Sequence, residues 1–160
     1  MAVDMFMKIT KIEGEAQDDK HKKEIDVLAW SWGMSNGGTT HMGSGGGAGK
    51  ANVQDLSFTK YVDASSHALL LACSKGSHQD KANLVVRKAG GTPLEYIKIE
   101  MEDVIVTSVS TGGSGGEDRL TENVTLNFSK VKYEYFPQKK DGTAEAAKTF
   151  TMDIAENTWK

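Results

Sequence analysis

Alternation of apolar and polar side chains at every second residue limits the fold of this chain more than any other feature. It recurs in short stretches from residues 5–9 near the start to residues 150–154 near the end. A period of two places successive side chains on opposite faces of a β-strand. About eight such strands within one domain of 160 residues, taken as 1–160, predict a mainly β fold, either a two-sheet sandwich or a closed β-barrel.

Three stretches carry specific predictions about strands and their faces. Residues 24–33 alternate in two sets, with Ile25, Val27, Ala29 and Ser31 on one face and Leu28, Trp30 and Trp32 on the other. Ser31 then points away from the tryptophans, which are expected in the core. In residues 123–135 the apolar parity changes, which predicts a β-bulge near Ser129 or Lys130. Residues 94–101 and 104–110 are predicted as two separate strands.

One helix is predicted, over residues 64–75. Asp63 or Ser65 can accept hydrogen bonds from the free N–H groups at its start, and Gly76 can adopt the left-handed conformation at its end. The only cysteine of the chain, Cys73, lies in this helix, so no disulfide can form within one chain. A buried structural thiol is the expected role of Cys73.

Charge and hydropathy exclude several classes of function. The net charge of −3 provides no field toward nucleic acid or an anionic membrane. No segment approaches the roughly 20 apolar residues of a membrane span. The first residues lack the basic and apolar regions of a signal peptide. We therefore expect no nucleic-acid binding and no membrane insertion, and folding in the cytoplasm with any export independent of a Sec signal.

Two glycine-rich loops stand out. Seven of the 17 glycines fall within residues 37–49 and four within residues 112–116. The first loop is not a phosphate-binding loop, because Ser44 replaces its first glycine, Ala51 follows Lys50, and a strand follows where a helix is needed. A loop of this length, residues 37–50, is expected to be ordered by a neighbouring chain. Its candidate contact residues are Gly45, Gly46, Gly47 and Lys50.

The second glycine loop carries the charged residues Glu117, Asp118 and Arg119. With Glu122 the two acids could be taken for a general acid–base pair, but no nucleophile accompanies them, and we expect no catalysis. Arg119 has two possible partners, a carboxylate across a subunit interface or a local acid, Asp118 or Glu122.

The four histidines, at positions 21, 41, 67 and 78, lack the spacing of metal ligands and are expected to be solvated. No metal site and no cofactor are predicted.

Long tracts of the chain resemble the Hcp (haemolysin-coregulated protein) family of the type VI secretion system. They comprise residues 24–35, 41–50, 52–62, 87–91 and 110–128. The resemblance implies a β-barrel with a helix on its side, which assembles into homohexameric rings that stack into a tube. It further implies partners among the spike, sheath and baseplate components, and small effectors carried in the lumen. Ser31 matches a lumen-facing position of the family, and Glu117, Asp118 and Arg119 join the loop residues as candidate contacts within or between rings.

Two other functions remain possible from the residues alone. A monomeric ligand-binding β-barrel would require an apolar cavity inside the barrel. A hydrolase would require turnover that depends on Glu117 and Asp118.

Overall fold

The computed structural model describes residues 3–38, 40–41, 49–90 and 93–160. Within these residues the chain is mainly β, as predicted, with eleven strands and one helix. The strands are β1 Val3–Ile9, β2 Ile25–Ser31, β3 Met34–Asn36, β4 Ala51–Val53, β5 Leu56–Tyr61, β6 His78–Lys88, β7 Leu94–Thr111, β8 Thr121–Asn127, β9 Lys130–Tyr135, β10 Lys148–Asp153 and β11 Thr158–Trp159. The helix, α1, is Ser66–Lys75.

Six strands close into a barrel. Their order is β7-β6-β1-β2-β5-β8, and β8 pairs again with β7 to complete the circle. Strands β9, β10 and β11 extend the sheet outward from β7, and we call these three strands the wing. Strands β3 and β4 form a separate two-stranded ladder, the arm, at the base of the first glycine loop. Of the two predicted architectures, the chain therefore adopts the closed barrel and not the two-sheet sandwich.

Strand β7 serves both the barrel and the wing. It is one continuous strand of 18 residues, so the prediction of two separate strands is wrong. Its first part pairs with β9 and its last part with β8. Between these pairings Asp103, with φ 55°, lies opposite a break between β8 and β9 at Phe128 and Ser129.

The apolar parity does change at this break, but the predicted bulge near Ser129 or Lys130 is absent. Glu102 still pairs with Lys130, and Ile105 with Asn127. Asp103 and Val104 thus face Phe128 and Ser129 without an extra residue on either strand. The chain changes face through irregular backbone in both strands, and the register is kept.

The barrel interior is filled by side chains. Its largest buried apolar members are Met7, Ile25, Leu56, Phe58, Leu84, Ile99, Met101, Val104 and Leu126. Helix α1 packs against β7 and adds Leu69 and Ala72 to this core. Cys73 is half-buried against the same core, so it is less buried than expected.

Helix α1 begins two residues later than predicted. The backbone N–H of Ala64 donates to the carboxylate of Glu15 at 2.7 Å, and that of Ser65 to Asp63 at 2.8 Å. Side chains thus satisfy these donors ahead of the first helical turn. At the other end Gly76 has φ 63°, the left-handed conformation that was predicted.

Candidate functional site

An exposed face of small polar side chains covers one side of the barrel, and we call it the polar wall. It is built by β2, β5, β8 and the last part of β7, whose facing residues pair directly across the strands. One row is Ser31–Ser57–Thr125–Ser108, and the next is Ala29–Thr59–Asn123–Ser110. At one end the wall continues into Asp55, Thr107 and Asn127.

Ser31 lies on the polar wall because of a bulge in β2. The register against β5 shifts between Val27, which pairs with Lys60, and Ala29, which pairs with Thr59. Val27 is buried, whereas Ala29 and Ser31 are exposed. The predicted grouping of these residues on one face is therefore wrong. The predicted opposition of Ser31 to the tryptophans is correct, since Trp30 and Trp32 pack against the core. Leu28, which was grouped with them, is instead 38% exposed, because it lies at the bulge.

Hydrogen bonds tie the wall's side chains to one another. Thr59 Oγ1 donates to Asn123 Oδ1 at 2.8 Å, and the hydroxyls of Ser57 and Thr125 lie 3.3 Å apart. The carboxylate of Asp55 accepts from Asn127 Nδ2 at 2.8 Å and from Thr107 Oγ1 at 3.2 Å. The side chains of Asp55, Asn127 and Thr107 are thereby oriented, and the remaining lone pairs and protons of the wall can bond to water or a bound surface.

The second glycine loop does not form an acidic cluster. Glu117, Asp118 and Arg119 are all exposed, whereas Glu122 is buried in the barrel. The Arg119 guanidinium lies 3.7 Å from the centre of the Tyr61 ring, a cation–π contact. Among the ion pairs of the described residues, none joins Arg119 to Asp118 or Glu122, so the predicted local pair is absent.

A buried ion pair, which the sequence did not predict, lies beneath this loop. The fully buried Lys60 Nζ is 2.6 Å from Glu122 Oε1 and 3.1 Å from Asp63 Oδ1. Ser66 Oγ donates to the same Glu122 oxygen at 2.6 Å. Burial raises the pKa of Glu122, but the hydrogen bonds from Lys60 and Ser66 outweigh it and hold this pKa below its ordinary value. The pair joins β5, β8 and the start of α1.

The arm is largely exposed, with all three residues of β3 at the surface. Asn36 Oδ1 accepts from the Gly49 backbone N–H at 2.9 Å, which closes the base of the first glycine loop. Lys50 follows and is exposed. Gly45, Gly46 and Gly47, the other candidate contacts of this loop, lie outside the described residues.

Residues 10–24, which we call the strap, cross the outer face of the barrel opposite the polar wall. Within it His21 is buried, contrary to the expectation of a solvated side chain. Its Nδ1 lies 2.9 Å from a Glu24 oxygen and its Nε2 lies 2.7 Å from a Glu95 oxygen. The His21 ring stacks on Phe6 with centroids 4.4 Å apart.

Arg87 connects the strap to the sheet at a second place, through hydrogen bonds to two carboxylates. Its guanidinium bonds both oxygens of Asp18 and, at 3.1 Å, an oxygen of Asp4. The hydrogen bond from Arg87 lowers the pKa of Asp18 to about 2. These contacts are structural, because they connect the strap to the sheet, and they leave the buried Nε of Arg87 without a hydrogen-bond partner.

Across residues 3–38, 40–41, 49–90 and 93–160, no group of three His, Cys, Asp or Glu side chains could hold a metal ion. Nor is any described helix long and apolar enough to cross a bilayer. A groove of about 490 Å³ lies on the outer face of β7, β9 and β10, lined by charged side chains such as Glu100 and Lys132. The packed barrel interior disfavours the alternative of a ligand-binding barrel.

Comparison with known proteins finds relatives along nearly the whole chain. The family model described as "Type VI secretion system effector, Hcp" matches residues 6–135. Protein hcp1 of Pseudomonas aeruginosa is 63% identical over 146 residues, which cover 91% of this chain and 90% of that protein. The crystal structure of Hcp1 from Salmonella typhimurium aligns with a TM-score of 0.80 and 39% identity, covering 100% of both chains. A solved structure described as a type six secretion system protein aligns with a TM-score of 0.93 and 32% identity, over 99% of this chain and 100% of that one.

Proposed function

The chain belongs to the Hcp family of the type VI secretion system, and on this basis we propose that it is a structural subunit of a secretion tube. Six copies form a ring, and rings stack into a tube that sheath contraction expels together with the spike. The subunit assembles in the cytoplasm and leaves the cell without a Sec signal. Its partners are other copies of itself, the spike, sheath and baseplate components, and small effectors. It has no catalytic role.

The observation that carries this proposal is the polar wall. It is an exposed sheet face whose paired rows contain hydroxyl and amide groups and one alanine. The one large exposed apolar side chain on the strands that build it is Leu28, 38% exposed at the β2 bulge. Such a polar face can be exposed to water in a single subunit, or it can line the water-filled lumen of a ring. Contacts made mainly by hydrogen-bonding groups exchange readily with water, which suits a lumen that must release its cargo.

Ser31 is the proposed effector contact within the lumen. It is exposed at the end of β2 and begins the hydroxyl row with Ser57 and Thr125. Because this row runs across several strands, an effector that touched Ser31 would also meet its neighbours. We place the contacts within or between rings at Lys50 and at Glu117, Asp118 and Arg119, with Gly45, Gly46 and Gly47 of the first loop.

Sedimentation velocity and negative-stain imaging of the purified protein test the ring. We expect a species of six times 17.3 kDa, about 104 kDa, with an open centre. A species of 17.3 kDa at every concentration would refute the proposal.

A second experiment tests the lumen assignment. Ser31→Tyr adds bulk to the polar wall and is expected to lower the amount of effector that co-purifies with the ring several-fold, while the mass of the ring stays the same. The matched control is Val3→Tyr, because Val3 is 41% exposed on β1, outside the polar wall. Equal effector recovery from Ser31→Tyr, Val3→Tyr and the natural protein would remove Ser31 from the contact.

A further inference from the structure

At the edge of the wing, the last side chain of a row of core residues is exposed to solvent. Met101, Val131, Met152 and Trp159 lie directly opposite one another on β7, β9, β10 and β11. Opposite residues of antiparallel strands project from the same face of the sheet. The exposed fractions along the row are 0%, 3%, 5% and 63%, so Trp159 continues the core row but has little covering it.

The surroundings of Trp159 have the character of an interface. On the same wing face, two positions along β9 from Tyr133 and four from Val131, the Tyr135 ring is 41% exposed. Strand β11 has two residues, and its outer edge pairs with no strand of the described part of the chain. Exposed tryptophan and tyrosine are enriched in protein–protein interfaces, and open sheet edges attract partners.

A second group of exposed apolar side chains lies elsewhere, around α1 and the nearby barrel end. Val62 and Leu120 are joined by a backbone hydrogen bond of 2.9 Å, where β5 ends and β8 is about to begin. On the helix Leu70 and Leu71 are exposed, Leu71 by 52%. We call this group the α1 end. It is aliphatic, whereas the wing group is aromatic.

We propose that the wing of one copy docks on the α1 end of the next copy, with Trp159 as the anchor. This inference rests on the proposed function, because a ring needs an interface that joins two different surfaces of identical subunits. In a closed ring, each subunit then buries its wing group against one neighbour and its α1 end against the other. The net charges beside the two groups are opposite in sign, since Lys148 pairs across strands with Tyr135, whereas Glu117, Asp118 and Arg119, which precede Leu120, sum to −1.

Two substitutions and a matched control test the contact. Trp159→Thr keeps a strand-forming residue, and Leu71→Gln keeps a helix-forming one. Each is expected to lower the fraction of protein in rings at least tenfold by sedimentation, while the circular dichroism spectrum of the folded subunit stays the same. Val3→Thr is the control, because Val3 is 41% exposed on β1 and belongs to neither group.

A mixture of the two variants tests the proposed contact more directly than either variant alone. Each lacks a different half of the contact, so an equal mixture retains one intact pair of surfaces. After chemical cross-linking we expect a heterodimer of twice 17.3 kDa, about 35 kDa, which neither variant forms alone.

Several outcomes would overturn the contact. They are rings formed by either variant at the level of the natural protein, dimers of one variant alone, or a mixture that stays monomeric. If the natural protein itself forms no ring, the proposed function fails. If it forms rings and the variants do so equally, only the location of the contact is wrong.

Discussion

The side chain of Lys60 carries an ammonium group that has no contact with solvent, and neighbouring polar groups stabilise this buried charge. Glu122, 2.6 Å away, and Ser66, 3.3 Å away, accept hydrogen bonds from the ammonium, and the Asp63 carboxylate lies 3.1 Å from it. Removing such a pair from water costs several kcal/mol per ion, which the attraction only about repays. The network therefore specifies how β5, β8 and α1 meet more than it adds stability.

Substitutions of Lys60 and of Glu122 should lower the free energy of unfolding by unequal amounts. Lys60→Met leaves the Glu122 carboxylate buried with the Ser66 hydroxyl as its remaining partner. We expect a loss of about 3–5 kcal/mol in the free energy of unfolding, measured in urea. Glu122→Gln should cost less, because Asp63 still pairs with Lys60. An equal or larger cost for Glu122→Gln would contradict this account of the network.

Asp18 should make stability depend on acid pH. The hydrogen bond from Arg87 lowers its pKa from 3.8 to about 2, so the carboxylate is favoured in the folded state. Its stabilising effect is fully present above pH 4 and is lost as the pH falls toward 2.

Unfolding free energies measured between pH 4 and 2 should therefore fall less steeply for Asp18→Asn than for the natural protein. Asp19→Asn is the control, because that carboxylate is 97% exposed. Parallel slopes for all three proteins would exclude the proposed linkage.

At the scale of elements, the strap shows how a long connection is held flat against a sheet. It begins and ends near residues with left-handed backbone, Lys11 at φ 66° and Lys23 at φ 63°. Between them, Gly14 donates its N–H to the Lys23 carbonyl at 2.8 Å. A Cβ on Gly14 would lie 2.6 Å from the Glu24 carbonyl oxygen, so backbone packs on backbone here.

Gly14→Ala should accordingly displace the strap. We expect a loss of about 1–3 kcal/mol in the free energy of unfolding, since rigid backbone must move to admit the methyl group. Gly112→Ala, whose added Cβ would meet no atom within 4 Å, should change stability by less than about 0.5 kcal/mol. Chemical denaturation of both variants measures the difference, and similar losses would show that the close approach is unimportant.

The sequence predicted most strands and the end of α1, and it failed where strands are irregular. Period two identified β2, but the bulge between Val27 and Ala29 depends on the register with β5. The single strand β7 was divided at Asp103, whose positive φ interrupts the alternation but not the pairing. Such irregularities are settled by pairing with distant strands, which a local pattern does not contain.

For the whole molecule, the pattern predicted a barrel but not which faces would be exposed. The hydroxyl row of the polar wall is assembled from Ser31, Ser57, Thr125 and Ser108, which come from four strands far apart in sequence. Only the strand order brings them together. The opposite face carries cross-strand pairs of charges such as Lys81 with Glu100, 3.0 Å apart. The two sides of the barrel thus differ in chemistry, which is what a tube with distinct inner and outer surfaces requires.

The continuity of β7 has a mechanical consequence. A pull on the wing along the axis of β7 loads the ladder between residues 97–102 and β9 in shear, so that its hydrogen bonds bear the force together. A pull across that axis would open the same bonds one after another, at lower force. The same residues of β7 also pair with β6 on their other edge, so tension on the wing passes directly to two strands of the barrel.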